Sequence, residues 1–302
     1  MAEASSSPSP VSPVIGVIGG SGVYDIEGLT DTQWRAVETP FGRPSDELLF
    51  GKLAGQPVVF LPRHGRGHVL NPTEINYRAN IDALKRAGVT EVLSLSAVGS
   101  LKEGLPPGTF MLVDQFIDRT FARQKSFFTD GLVAHVSTAH PVCGRLGAAL
   151  LQAADDVNLR LVKGGTYLAM EGPQFSTLAE SNLYRSWGCD VIGMTNMPEA
   201  KLAREAELCY ATVAMVTDFD CWHPDHDNVT VEQVVKVLLS NADRARALVK
   251  TVIPYLTRQQ TVCQQGCQRA LDAALITHPD KRDPAAVKRL SAIAGRALAA
   301  QG

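Results

Sequence analysis

The 302-residue chain lacks an excess of basic residues, and it lacks any apolar run long enough to span a bilayer. Its formal net charge is -2. Because binding to a nucleic-acid backbone requires clustered Lys and Arg, we expect no nucleic-acid partner. The Ser/Pro-rich residues 1–12 contain no apolar core of a signal peptide. We therefore expect a cytoplasmic protein with no membrane partner, in which residues 1–12 form a disordered tail.

The cysteines lack the C-x-x-C spacing that is typical of zinc and thiol redox motifs. There are six, at positions Cys143, Cys189, Cys209, Cys221, Cys263 and Cys267. Several lie in apolar runs, so buried free thiols of a reducing compartment are the expected state. Cys263 and Cys267 could share a helix face, and a metal or redox role for this pair stays open. The segment "HPDHD" at 223–227 has metal-site composition but lacks the H-x-H-x-D-H order of a binuclear hydrolase, so we predict no metal ion.

The stretch "VIGVIGGSGVY", Val14 to Tyr24, lacks the residues that would complete three well-known glycine motifs. Counting from Gly20, Asp25 stands where a dinucleotide fingerprint needs its third glycine. There is no Walker A lysine, and Val23 replaces the final glycine of a nucleophile elbow. A serine hydroxyl among backbone N–H groups at a strand end remains. This arrangement suits inorganic phosphate or one phosphoryl group, although a plain tight turn is the alternative.

Strand-like and helix-like segments alternate along the chain, which indicates an α/β fold with a mixed sheet covered by helices on both faces. The expected elements include a hairpin at 47–65, one strand at 108–118, and helices at 143–156 and 230–256. Another helix is expected to begin with Thr73 as its N-cap and to end at Gly88. We find no internal repeat and no long linker. We therefore expect one domain over residues 13–302, with a helical extension from about residue 260.

Polar residues follow several of the predicted strands, where ligands gather in such folds. The segment "RHGRGH" offers Arg63 and His64, and an arginine fork can grip phosphate oxygens with two parallel bonds. Ser21, Ser96 and the backbone N–H of Ala97 would complete a phosphate site. A solvated loop is the structural alternative. "RHG" also begins the signature of phosphohistidine phosphatases, but there it follows the first strand of the chain.

Asp218 and Asp220 lie two residues apart at the end of an apolar strand, so both carboxylates can face the same ligand. Neighbouring carboxylates in a partly dry pocket repel each other, which raises one pKa and keeps a proton available near neutral pH. The pair therefore predicts a general acid. A polar strand end with an Asp helix cap is the structural alternative.

Seven segments together resemble the 5'-methylthioadenosine phosphorylases, in the trimeric branch of the purine nucleoside phosphorylase family. They are "IGVIGGSGVYD", "FLPRHGRGH", "LSAVGSL", "VDQFIDRT", "MEGPQFST", "VIGMTNMPEA" and "MVTDFDCW", in chain order. The resemblance implies a single-domain mixed-sheet α/β fold, a homotrimer, and phosphorolysis of 5'-methylthioadenosine to adenine and 5-methylthioribose 1-phosphate in purine and methionine salvage. It also implies a pentosyltransferase without metal or organic cofactor, for which inorganic phosphate is a co-substrate.

The resemblance also implies residue roles. Phosphate is expected between Ser21, Arg63, His64, Ser96, Ala97 and Thr195. The purine is expected between Phe175 and the "TDFD" loop, with Ser176 nearby and Met194 under the ribose. Asp218 is the expected acid toward purine N7, and Asp220 is the expected acceptor for the exocyclic amine.

Hydrogen-bond matching to this aspartate pair favours an aminopurine, because a 6-oxo group would place an acceptor against Asp220. At the 5' end, Val231, Val234 and Val235 fall on one helix face and could line an apolar slot or simply be core. By resemblance, His135 reaches that slot from the neighbouring subunit. The alternatives are a purine nucleoside phosphorylase acting on adenosine or 6-oxopurine nucleosides, and a non-catalytic nucleoside-binding protein.

Overall fold

The apolar runs of the sequence form the central strands of a mixed sheet in the computed structural model, which describes residues 13–20, 22–224, 231–258 and 263–301. The strands are β1 (Val14–Gly19), β2 (Thr30–Arg35), β3 (Leu48–Leu53), β4 (Gln56–Pro62), β5 (Val89–Ser100), β6 (Phe110–Leu112), β7 (Gln115–Asp118), β8 (Leu161–Lys163), β9 (Thr166–Ala169), β10 (Val191–Gly193) and β11 (Cys209–Asp218). Strands β1, β5 and β11 are almost wholly buried. Such strands are typical of a sheet covered on both faces.

The long strand β5 organises the sheet. It runs parallel to β1 on one side and to β11 on the other, and its last residues pair antiparallel with β10. Strand β4 is parallel to β1. The carboxyl ends of β1, β4, β5 and β11 therefore meet at one edge of the sheet, and this edge carries the candidate site.

Helices cover both faces of the sheet. They are α1 (Tyr77–Arg86), α2 (Gly144–Asp156), α3 (Leu178–Ser186), α4 (Asn196–Glu205), α5 (Val231–Arg258), α6 (Pro284–Arg289) and α7 (Ser291–Ala299). One apolar layer packs α1, α4, α6 and α7 against the sheet, and a second packs α2 and α5 against the other face. The α/β class and the single mixed sheet flanked by helices, predicted from the sequence, are confirmed.

Local differences from the predicted elements have physical causes. The segment predicted as one strand at 108–118 is divided into β6 and β7, because the backbone N–H groups of Asp114 and Gln115 turn to donate to the carbonyl of Gly165. Thr73 was the wrong N-cap. Its hydroxyl donates to Glu171, whereas the side chain of Asn76 accepts from the N–H of Ala79 and begins α1.

The expected tail at residues 1–12 lies outside the described residues. Beyond residue 263 the chain forms two short 3₁₀ turns followed by α6 and α7, and α7 packs against α1. Among the described helices, none combines the length and the apolar character that a membrane crossing requires.

Candidate functional site

The hydroxyls of Ser96 and Thr195 meet at the carboxyl edge of the sheet. Their oxygens are 3.4 Å apart, and the Tyr167 hydroxyl lies 3.2 Å from Ser96 Oγ. Ser96 and Thr195 are buried, and Ala97 follows in the same strand as a partly exposed residue. The structure therefore brings together three of the predicted phosphate contacts. Ser21 lies outside the described residues.

Arg63 lies at the same edge but is already paired. Its Nε donates to Glu199 Oε2 at 2.8 Å, and its Nη2 donates to Glu199 Oε1 at 3.2 Å and to Ser94 Oγ at 2.6 Å. Nη1 donates to the carbonyl of Leu95 at 2.9 Å. The guanidinium expected to bind phosphate thus binds a carboxylate. The second N–H of Nη1 makes no hydrogen bond to the described residues.

Glu199 is the centre of a buried polar network that sequence reasoning missed. Oε1 accepts hydrogen bonds from the hydroxyls of Ser94 at 2.7 Å and Tyr210 at 2.8 Å. The amide of Asn196 donates to Ser94 Oγ and Tyr210 Oη. The charge of Glu199 near the start of α4 was the one available signal, but its partner Arg63 is 136 positions away in the sequence.

His64 is fixed in one tautomer. Its Nδ1 lies 2.9 Å from the carbonyl of Leu70, and a carbonyl can only accept, so Nδ1 carries the proton. Burial lowers the pKa of His64 to about 4, and the Arg63 charge acts in the same direction. At neutral pH the ring is therefore uncharged, and Nε2 is a hydrogen-bond acceptor.

Asp218 and Asp220 lie together at the end of β11. Asp218 accepts from the Thr217 hydroxyl at 2.7 Å and from the backbone N–H of Asp220 at 2.8 Å. Burial raises the pKa of Asp218 despite these two bonds, and the charge of Asp220 adds to the effect. Burial also raises the pKa of Asp220. The expected pair of neighbouring carboxylates is therefore present, but burial raises the pKa of both, whereas mutual repulsion was expected to raise only one.

The turn that carries these carboxylates requires special backbone geometry. Asp220 has a φ of +52°, in the left-handed region. Gly99 on the adjacent β5 leaves room for the Asp218 carboxylate, since a Cβ at that glycine would lie 2.9 Å from Asp218 Oδ1. Trp222 closes the turn by donating from Nε1 to the carbonyl of Ser100 at 2.7 Å. Strand β5 thus positions the carboxylates as well as Ser96.

Ser176 lies beside this turn, because the Cys221 thiol contacts its carbonyl at 3.4 Å. Phe175 next to it is 44% exposed, so its ring is accessible to a ligand or a partner. Met194 packs on Gly172, where a Cβ would lie 2.5 Å from its sulfur. The predicted purine and ribose contacts therefore lie on loops around the carboxylate pair.

Arg123 joins two of these loops and was not predicted. It is buried and donates from Nε to Glu171 Oε1 at 3.1 Å, from Nη2 to the Glu171 carbonyl, and from Nη1 to the carbonyl of Met194. Arg123 follows Arg119 after the "VDQFID" segment, and neither arginine belongs to a motif that would predict this role. Its hydrogen bonds fix Met194 relative to the loop that precedes Phe175.

The first turn of α5 faces outward. Val231 and Val235 are exposed and Val234 is partly exposed, so the alternative that these residues are core is wrong for a single chain. His135 is also exposed, on a segment whose backbone N–H donates to the carbonyl of Ala274. Within one chain, these residues are free to contact a substrate or a neighbouring subunit.

Known proteins are similar to this chain in sequence and in fold. Residues 14–254 match the family model described as "Phosphorylase superfamily". The chain is 67% identical over 286 residues to S-methyl-5'-thioadenosine phosphorylase of Rhodospirillum rubrum, covering 95% of this chain and 97% of that protein. A methylthioadenosine phosphorylase from an Antarctic soil metagenomic library superposes with a TM-score of 0.88 at 46% identity, covering 93% of this chain and 99% of the other. The Schistosoma mansoni methylthioadenosine phosphorylase in complex with adenine gives 0.79 at 36%, covering 84% and 95%.

Proposed function

Since the chain belongs to the phosphorylase superfamily, we infer that it catalyses phosphorolysis of 5'-methylthioadenosine, the substrate named for relatives that are 50–67% identical over nearly its whole length. The reaction yields adenine and 5-methylthioribose 1-phosphate, which makes the enzyme a pentosyltransferase. The observation in the fold that carries this inference is the pair of buried carboxylates, Asp218 and Asp220, at the same sheet edge as the Ser96 and Thr195 hydroxyls.

Inorganic phosphate is the co-substrate in this proposal. The Ser96 and Thr195 hydroxyls and the second Nη1–H of Arg63 donate to its oxygens, and Ser21 and Ala97 complete the site. Because His64 Nε2 is an acceptor, it receives the P–OH hydrogen of a protonated phosphate rather than donating to the anion. The reaction itself needs no organic cofactor and no metal ion at the substrate.

A Ser96→Ala substitution tests the phosphate site. Losing one hydroxyl that bonds to an anion is expected to raise KM for phosphate about tenfold, with a smaller effect on KM for the nucleoside. Initial rates with phosphate varied at saturating nucleoside measure this change. Ser291→Ala at the exposed start of α7 is the matched control and leaves both constants unchanged. Equal phosphate KM in Ser96→Ala and wild type would remove Ser96 from the site.

Asp218 and Asp220 have different roles toward the purine base. As phosphate approaches C1', the glycosidic bond stretches toward an oxocarbenium-like state that the phosphate charge stabilises. Protonated Asp218 donates to purine N7, so that adenine departs neutral. Ionised Asp220 accepts from the N6 amino group. Phe175 and Ser176 border the base, and Met194 packs under the ribose.

An Asp220→Asn substitution should shift base preference. An amide can donate to the O6 of hypoxanthine, which a carboxylate cannot, so the ratio of inosine to 5'-methylthioadenosine turnover is expected to rise about tenfold or more. The control is Asp31→Asn, which changes an exposed aspartate whose φ of +53° matches that of Asp220. An unchanged ratio in Asp220→Asn would show that this carboxylate does not read the base.

The 5'-methylthio group is assigned to the outward face of α5. Val231, Val234 and Val235 form one side of an apolar slot, in which a 5'-hydroxyl would lose water without gaining a good partner. His135 of a neighbouring subunit closes the slot. This arrangement requires an oligomer, since the valines are exposed in one chain.

We assign a homotrimer to the active protein. Exposed large apolar side chains support an interface, among them Phe121 at 82% exposure, Leu178 and Trp187. Light scattering coupled to size exclusion is expected to give three times the 32.5 kDa chain mass at assay concentration. A fully active species with the mass of one chain would contradict the trimer and the shared slot.

The free state of all six cysteines supports a cytoplasmic location.

A further inference from the structure

Four buried cysteines meet on the face of the sheet covered by α2 and α5. Cys143, Cys209, Cys263 and Cys267 place their sulfur atoms within 4.8 Å of one another. The sulfurs of Cys143 and Cys263 are 3.5 Å apart, and those of Cys263 and Cys267 are 3.3 Å apart. Around one zinc ion with Zn–S bonds of about 2.3 Å, tetrahedral sulfurs lie about 3.8 Å from each other. The four thiols therefore converge as the ligands of one tetrahedral ion do.

Each cysteine is held by a defined element. Cys209 begins β11, and Cys143 is the N-cap of α2, where its side chain makes no capping hydrogen bond. Cys263 and Cys267 flank a turn in which the N–H of Gly266, at a φ of +65°, donates to the Cys263 carbonyl at 2.9 Å. A C-x₃-C pair on a glycine turn has the ligand spacing of structural zinc sites.

Two guanidinium groups are directed at the sulfurs. Arg145 Nη2 lies 3.6 Å from Cys209 Sγ, and Arg204 Nη1 lies 3.2 Å from Cys267 Sγ. A Zn²⁺ ion with four thiolates carries two negative charges. Arg204, whose other hydrogen bonds among the described residues go to the carbonyls of Ser137 and Gln265, offsets one of them, whereas Arg145 is already paired with the buried Glu91. Neutral thiols or disulfides would give Arg204 no anionic partner at the sulfurs.

We propose that these four cysteines bind one structural Zn²⁺ ion. On binding, the four S–H bonds are replaced by four Zn–S bonds and the protons pass to solvent, so no oxidant is needed. A cavity of about 330 Å³, lined in part by Cys143, Gly144 and Gln265, lies beside one of the four thiols. The proposal departs from the prediction of no metal ion, in which Cys263 and Cys267 were considered as a pair without Cys143 and Cys209.

The ion has a structural rather than a catalytic role. Cys209 and Asp218 are the two ends of extended β11, and the eight residues between them place the ends about 30 Å apart. The site ties residues 263–267 of the C-terminal region to α2 and β11. Gln265 adds to this attachment with two hydrogen bonds. Its side-chain Oε1 accepts from the N–H of Gly144, and its backbone carbonyl accepts from Arg204 Nη2.

Metal analysis of the purified, tag-free protein tests the site. After incubation with Zn²⁺ and gel filtration, we expect about one zinc per chain in the wild type and a complete loss in Cys263→Ser/Cys267→Ser. Cys189→Ser is the matched control, because Cys189 is buried and free but lies outside the cluster. A zinc chelator should lower the Tm of the wild type by about 5–10 °C, reversibly, and leave the double variant unaffected.

Cobalt substitution keeps the test independent of how the variants fold. Co²⁺ added to chelator-treated wild type should give the intense visible bands and sulfur-to-metal charge transfer of tetrahedral thiolate coordination. Zinc below one-tenth per chain with all cluster thiols reactive in denaturant would overturn the proposal. Two disulfides found by mass spectrometry under non-reducing conditions, or zinc retained by the double variant, would also overturn it, and iron in place of zinc would overturn the identity of the ion.

Discussion

Replacing Asp218 with Asn is expected to lower kcat for 5'-methylthioadenosine about 100-fold or more, while KM for phosphate changes little. The reason is that Asp218 donates the proton that lets adenine leave neutral, and an amide cannot do so. The substitution preserves the shape of the side chain. Its amide oxygen can accept from the Asp220 N–H, and its NH₂ group can donate to the Thr217 hydroxyl, which also bonds to the Val98 carbonyl. Steady-state rates of adenine release measure the effect.

The pH profile separates acid catalysis from a structural role. Burial raises the pKa of Asp218, and the acid must be protonated to act, so wild-type kcat should fall as pH rises through that value. Asp218→Asn should lose this alkaline limb because it has no proton to lose. Asp31→Asn should keep both the rate and the limb. A variant with near wild-type kcat, or with the same alkaline limb, would remove Asp218 from the role of acid.

Replacing Glu199 with Gln is expected to cost about 3–5 kcal/mol of stability, because it leaves the buried guanidinium of Arg63 without its counter-charge. Arg63 cannot release its proton, so the charge cannot be avoided. For a chain of this size the Tm should fall by about 5–10 °C, as measured by scanning calorimetry. KM for phosphate should rise as well, since the Glu199 carboxylate holds the Arg63 side chain in place.

An exposed ion pair provides the control for this prediction. Glu47→Gln removes a carboxylate 3.0 Å from Arg66, but both partners are more than 40% exposed, so the expected cost is below about 1 kcal/mol. Arg63→Met/Glu199→Leu removes both buried charges and should be more stable than Glu199→Gln, although defective in phosphate binding. Equal Tm values for Glu199→Gln and Glu47→Gln would show that Glu199 does not carry the charge balance of the site.

Local patterns in the sequence predicted the fold where they were strong. The hairpin at 47–65 forms as β3 and β4 around Ala54 and Gly55, which both adopt positive φ values. The long helix predicted at 230–256 is observed as α5, although Thr230 lies outside the described residues. Strand β2 was missed because its residues are mostly exposed and polar, so they carry no apolar alternation. Strands could be predicted from the sequence where burial requires a run or an alternation of apolar residues, and not where a strand is exposed.

Site residues were predictable when neighbours in the sequence are also neighbours in space. Asp218 and Asp220 share a strand end, and their pairing followed from strand geometry alone. The partner of Arg63 could not be found in this way, because Glu199 reaches it only through the packing of α4 on the sheet. Cys143 and Cys209 join Cys263 for the same reason, across elements that only the folded chain brings together.

The most direct test of the central claim is chromatography of the free base released from 5'-methylthioadenosine, adenosine and inosine, each with and without phosphate. The account predicts phosphate-dependent adenine release from the thioether substrate, with inosine inert. Hypoxanthine release from inosine at a comparable rate would contradict the role of Asp220, and base release without phosphate would contradict phosphorolysis itself.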